Sequence, residues 1–219
     1  SHDEVAVQFI AAQGPIGPPE NVSPSRENTV DDFWEMIWQE RVQCGVMLTQ
    51  CIEHLKLKCA EYWPRPLGSS LHFGPICVTL VAETEYATAL MRTFDVTKGD
   101  ETRSFTQFHF EQWLDAKGPE SVDNLLCLVT RVKEGDYQGP VLIHCSAGIG
   151  RTGVFIALWQ IISGIESDPT ADIDVRRLRE QRIRMVQSAE QGVATAPTEG
   201  SLSGESEDSR YEVQEVSAV

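Results

Sequence analysis

Between residues 29 and 191 the chain alternates two hydrophobic rhythms. Helical spacing governs 33–41, where Phe33, Ile37 and their neighbours recur behind Asp31 and Asp32, either of which can cap the first turn. Residues 45–49 read as a short buried strand. The stretches 76–82, 89–96 and 104–110 are rich in β-branched and aromatic residues, which predicts further strands, mostly antiparallel neighbours. A helical apolar stripe returns over 123–132. Val141-Leu142-Ile143 reads as a central strand, and 154–165 is so apolar that its helix must be largely buried. A helix over 172–181 and another through Met185 and Ala189 close the pattern. Strands and helices intermixed in this way predict an α/β domain on a mixed sheet.

Two stretches break the rhythm. Pro15, Pro18, Pro19 and Pro24 among Gly, Ser and Asn mark 14–28 as a surface loop. From Gly192 onward Arg210 is the only basic residue, against Glu199, Glu205, Glu207, Asp208, Glu212 and Glu215, so 192–219 reads as a solvated, disordered acidic tail. That leaves 1–191 as a single domain.

Charge and composition narrow the function. A net charge of −15 over 219 residues argues against a nucleic-acid partner or an anionic membrane surface, because neither would attract this chain. No apolar run reaches the roughly 18–20 residues of a bilayer span, so no membrane segment is expected within this chain. The six cysteines form no C-x-x-C pair and the five histidines show no ligand spacing, so neither a metal nor a cofactor is expected. Free thiols suit a reducing, intracellular, cytoplasmic setting. The chain opens Ser1-His2-Asp3-Glu4 rather than with Met or a signal peptide, and reads as a fragment or processed form. The pattern sets no oligomeric state.

The chemistry concentrates in 141–153, VLIHCSAGIGRTG, which runs from the buried strand through a Gly-rich turn into the buried helix. Such a turn aims successive backbone N–H groups and the helix's positive end at one point, a ready anion site. Gly148 and Gly150 permit backbone angles that a side chain resists. Cys145 opens this nest; the thiolate is the attacking form, and such surroundings favour it. Arg151, six residues on, carries a planar fork that grips two phosphoryl oxygens. Thr152 is placed to hydrogen-bond the sulfur as it leaves. A bare C-x5-R would read as an inert buried cysteine in an ordinary strand–turn–helix.

The full string HCSAGIGRTG resembles the signature of the classical protein tyrosine phosphatases, and further motifs follow in that family's order. FIAAQGP at 9–15 resembles its YIATQGP strand, TVDDFWEMIW at 29–38 its TVxDFWxMIW helix, and KCAEYWP at 58–64 its KCxxYWP segment. QFHF at 107–110 is similar to the strand before the acid loop, and REQRIRMVQSAEQ at 179–191 to the final glutamine motif. The resemblance implies a mixed, highly twisted sheet flanked by helices, and hydrolysis of phosphotyrosine in proteins through a cysteinyl-phosphate.

It also implies roles. Cys145 is the nucleophile and Arg151 the phosphate clamp, with His144, Ser146, Ala147, Gly148, Ile149 and Gly150 completing the loop. Asp115 falls where the family has its general acid, Gln187 where it positions the hydrolytic water, and Gln191 where a second amide supports the site. Glu53 resembles the carboxylate that holds the signature arginine, although an exposed strand-end glutamate fits the sequence nearly as well. Arg179 and Arg182 match positions that brace the site.

Four departures temper the match. The acid loop reads WLDAKGP, with Leu114 where the family has proline, which loosens loop closure. The family's phosphotyrosine-recognition loop lies upstream of residue 9, and this chain starts too late to contain it. The loop at 16–28 is longer than the family's connection, and after Gln191 the acidic tail replaces an apolar helix. Leu114 and the missing loop motivate a competing reading: a catalytically weak module that binds phosphotyrosine or pairs with another phosphatase domain. The parent is either a soluble phosphatase or the cytoplasmic part of a receptor.

Overall fold

A computed structural model describes residues 7–17, 28–113 and 119–167. Along the chain, strand β1 (Phe9–Gln13) precedes helix α1 (Val30–Gln39), strand β2 (Cys44–Met47) and a small hairpin of β3 (Ile52–Glu53) and β4 (Lys56–Leu57). Then come β5 (Ser70–Phe73), β6 (Ile76–Glu85), β7 (Leu90–Lys98) and β8 (Glu101–His109). Helix α2 (Val122–Lys133), strand β9 (Val141–Cys145) and helix α3 (Gly150–Ser167) follow.

Seven of these strands form one sheet in the order β1-β9-β2-β8-β7-β6-β5. The first four are mutually parallel and the last four antiparallel, so the sheet is mixed as the pattern predicts. The split follows the connections. β6, β7 and β8 succeed one another through tight turns, which only antiparallel strands allow, whereas β9 reaches its place through α2.

Period-two alternation sorts the side chains into two cores. Val141 and Ile143 of β9, with Cys44 and Val46 of β2, face α2 and α3, where Leu125, Leu128, Val129, Phe155 and Leu158 are buried. Leu142 and Met47 turn the other way, onto Phe33, Trp34 and Ile37 of α1 and onto Phe94 and Phe105. Gly45 is required here, since a Cβ would sit 2.7 Å from the Phe105 ring. The first turns of α3 are wholly buried from Val154 to Trp159, as its composition requires.

Several expectations need correction. α1 starts at Val30 rather than 33 and ends at Gln39, and its N-cap is Thr29, not Asp31 or Asp32. The Asn28 carboxamide accepts the Val30 N–H at 3.0 Å, and both aspartates lie in the first turn, where they favour the positive end of the helix dipole. The strand expected at 45–49 spans Cys44–Met47. β5 and the β3–β4 hairpin had no counterpart in the hydrophobic pattern: each is too short to display a period. The helices expected over 172–181 and through Met185 and Ala189, and the acidic tail, lie outside the described residues, as do residues 18–27 of the surface loop expected over 14–28. The described start of that loop is not at the surface, since Gly14, Pro15 and Gly17 are buried.

Candidate active site

Three parallel strands deliver the site. β9 lies between β1 and β2 and ends at Cys145, from which the chain turns directly into α3. Backbone hydrogen bonds fasten this turn on both flanks. Gly14 N–H donates to Ser146 O at 3.0 Å, and Leu48 N–H donates to His144 O at 2.9 Å. The Ser146 hydroxyl donates to Lys58 O at 3.0 Å, which ties the turn to the segment after β4.

Gly148 has φ of +70°, and a Cβ there would meet Ala12 O at 2.2 Å. No other residue type fits both constraints. Gly150, by contrast, simply begins α3; the left-handed backbone of the turn is confined to Gly148. With the turn folded this way, the Gly148 N–H donates to Cys145 Sγ at 3.2 Å. Cys145 is 4% exposed.

Arg151 sits in the first turn of α3 with its guanidinium buried. Nη1 donates to Leu48 O at 2.9 Å and to Glu53 Oε1 at 2.6 Å, and Nη2 to Glu53 Oε2 at 2.7 Å. Glu53 is therefore a buried partner, 3% exposed, and not an exposed strand end. Burial by itself would raise its carboxyl, but the bonds and charge of Arg151, with Thr49 and Gln50, outweigh that and hold it below its ordinary value of 4.5. The β3–β4 hairpin exists to present this carboxylate: His54 and Leu55 at its tip both take positive φ, which turns the chain within two residues.

His144 points to the opposite face of β9 from Cys145, against Phe33 and Tyr62. Its Nδ1 lies 3.3 Å from Cys145 O and its Nε2 2.8 Å from the Tyr62 hydroxyl. A carbonyl only accepts, so Nδ1 carries the proton and Nε2 accepts from Tyr62. Burial pushes the imidazole down to about 4, so it stays neutral at physiological pH. The Thr152 hydroxyl makes no bond to the sulfur; it is buried with no hydrogen-bond partner among the described residues. Ala147 is exposed at the turn's apex, and Ile149 is half-buried.

Asp115 and Leu114 lie outside the described residues, as do Gln187, Gln191, Arg179 and Arg182. On the near side of Asp115, Trp113 is 1% exposed. The Glu120 N–H reaches back to Gln112 O at 3.3 Å, so the described flanks of 114–118 are brought together.

Four residues around the site escaped sequence reasoning: Thr49, Arg92, Gln107 and His109. All are buried. The alternation in Gln107-Phe108-His109-Phe110, two polar side chains between aromatic ones, was the available signal.

The model of the family described as Protein-tyrosine phosphatase matches residues 1–195. The chain belongs to the protein-tyrosine phosphatase family. It is similar to receptor-type tyrosine-protein phosphatase eta of Gallus gallus, at 42% identity over 193 residues. It is also similar to tyrosine-protein phosphatase 69D of Drosophila melanogaster, at 36% over 195 residues, and to receptor-type tyrosine-protein phosphatase F of Rattus norvegicus, at 39% over 191 residues. In each case 84% of this chain is covered, but only 13%, 13% and 9% of those proteins. The chain thus spans a small part of the relatives it matches. No helix among the described residues is long and apolar enough to cross a membrane.

Proposed function

We propose that this chain hydrolyses phosphotyrosine in proteins, with Cys145 as nucleophile. The observation that carries the reading is the union of two opposite preparations in one turn. Arg151 is locked in plane by Glu53, and the Cys145 sulfur accepts an N–H from Gly148. A guanidinium held flat by a carboxylate fork keeps a fixed plane and charge, which suits recognition of a phosphoryl group.

In the first step the Cys145 thiolate attacks phosphorus in line with the ester oxygen. The S–P bond forms, the P–O bond to tyrosine breaks, and the phenolate takes a proton from Asp115. In the second step water attacks phosphorus, its proton passes to the Asp115 carboxylate, and the thiolate leaves with inorganic phosphate as product. Gln187 orients that water, Gln191 supports it, and backbone N–H groups from Ser146 to Arg151 hold the equatorial oxygens. The reaction needs no metal or cofactor. By analogy with the receptor-type relatives, the domain works on the cytoplasmic side.

The test is phosphate release from a phosphotyrosine peptide, with Cys145→Ser beside the parent chain. Release that vanishes in the variant supports the reading. A folded parent that binds the peptide yet releases nothing would favour the binding-module alternative, for which Leu114 is the motivating departure.

A further inference from the structure

Arg92 is 9% exposed and belongs to β7, which β2 and β8 separate from β9 in the sheet. Its Nη1 donates to Gln107 Oε1 at 3.0 Å and approaches His109 Nδ1 at 3.3 Å. An arginine only donates. This fixes the sense of each bond as far as Cys145 O on one branch and Thr49 O on the other.

On the first branch Gln107 accepts at Oε1, so its Nε2 donates to the Tyr62 hydroxyl at 2.8 Å. Tyr62 in turn donates to His144 Nε2 at 2.8 Å, and His144 Nδ1 faces the Cys145 carbonyl at 3.3 Å. On the second branch His109 Nδ1 must accept, so its Nε2 donates to Thr49 O at 2.9 Å. The hydroxyl of that same Thr49 lies 3.0 Å from Glu53 Oε1, which grips Arg151. Gln107, Tyr62, His109, Thr49 and His144 are each 3% exposed or less.

We propose that Arg92 is a positioning residue for the phosphatase reaction: one cation roots two buried hydrogen-bonded branches, one running unbroken to the nucleophile's carbonyl and the other holding the backbone carbonyl of Thr49, whose hydroxyl lies between Gln50 O and the carboxylate that aims the phosphate clamp. The inference rests on the function proposed above. Chains of this kind polarise in one direction when their root is a fixed donor, and each buried member has no water to fall back on. The root is itself held. Glu83 accepts from Arg92 Nε at 2.7 Å, and the Trp63 ring lies 4.7 Å from the guanidinium carbon. Burial, the first cause, lowers His109, and Arg92 adds to that; the neutral tautomer the second branch needs is thereby kept.

The experiment compares the parent chain with Arg92→Met, Arg92→Lys and Gln107→Leu. The first readout is kcat and KM for a phosphotyrosine peptide. The second is the rate of Cys145 alkylation by anionic iodoacetate relative to neutral iodoacetamide, read by peptide mass spectrometry, which needs no turnover. Arg92→Met is expected to lower kcat by about 10- to 100-fold, as loss of an outer partner commonly does, and to lower the iodoacetate preference with it. Arg92→Lys should recover part of both. Gln107→Leu, which cuts only the branch to Cys145, should lower kcat while keeping the iodoacetate preference. A folded Arg92→Met with parental kcat and preference would overturn the proposal, as would Arg92→Lys no better than Arg92→Met. If Arg92→Met does not fold, the other two variants decide. A parent chain that releases no phosphate would sink the proposed function, and the alkylation ratios would still judge Arg92.

Discussion

The Glu53 carboxylate meets the Arg151 guanidinium in a two-bond fork, Nη1 to Oε1 at 2.6 Å and Nη2 to Oε2 at 2.7 Å, with both side chains almost fully buried. Removing one member leaves the other charged and desolvated. Glu53→Ala is therefore expected to destabilise the domain by about 3–5 kcal/mol. Urea unfolding of parent and variant at neutral pH measures it. A loss within experimental error would mean that the pair is solvated in solution.

The same pair sets an acid limit. The folded Glu53 carboxyl is held below its ordinary 4.5, so its contribution to stability is complete above that value. It fades as pH falls through the lower, folded value. The stability gap between parent and Glu53→Gln should accordingly be constant from neutral pH down to the ordinary carboxylate range and close below it. A gap that widens in acid would contradict the assignment.

His144 acts in the same direction, in a higher pH window. Its folded value is about 4 against an ordinary 6.5, so the unfolded chain binds more protons between those limits. Stability should then fall as pH drops from 6.5 to 4, by about 3 kcal/mol from this one ring. His144→Gln should flatten that slope. Denaturation curves across the window check it, and an unchanged slope would show that the imidazole is not the titrating group.

Gly148→Ala places a Cβ 2.2 Å from Ala12 O at a residue whose φ is +70°. The turn cannot accept it without moving away from β1. Phosphate release and binding of vanadate, a mimic of the five-coordinate phosphoryl centre, are both expected to disappear. Retained vanadate binding, read by calorimetry, would show that the turn adapts.

Asp115→Ala should lower kcat by about 10²–10⁴-fold while phosphopeptide binding persists, because proton delivery is lost and the anion site is not. A peptide with a fluorinated tyrosine, a better leaving group, should suffer less. Equal losses for both peptides would argue against Asp115 as the acid.

Much of the fold is legible in local pattern. β6, β7 and β8 announce themselves by β-branched and aromatic runs, and α3 by an apolar stretch that solvent could not tolerate. The turn is legible because its chemistry is contiguous: Cys145, Gly148 and Arg151 fall within seven residues of chain. Short elements are not. β5 has four residues and the β3–β4 hairpin two per strand, too few for a period, and each is defined by its pairing with a neighbouring strand instead of by its own composition.

The sequence by itself determined the strand–turn–helix, its nucleophile and its arginine, because a nest of backbone N–H groups is built from neighbouring residues. It could not decide between a buried and an exposed Glu53, nor reveal that Thr49, Tyr62, Arg92, Gln107 and His109 meet behind the turn. Those residues come from separate segments: the loop after β2, the KCAEYWP segment, β7 and β8. Their pairing follows from which strands lie side by side and which face each side chain takes. Strand order and burial belong to the packed sheet, and only there do these polar groups lose water and find one another.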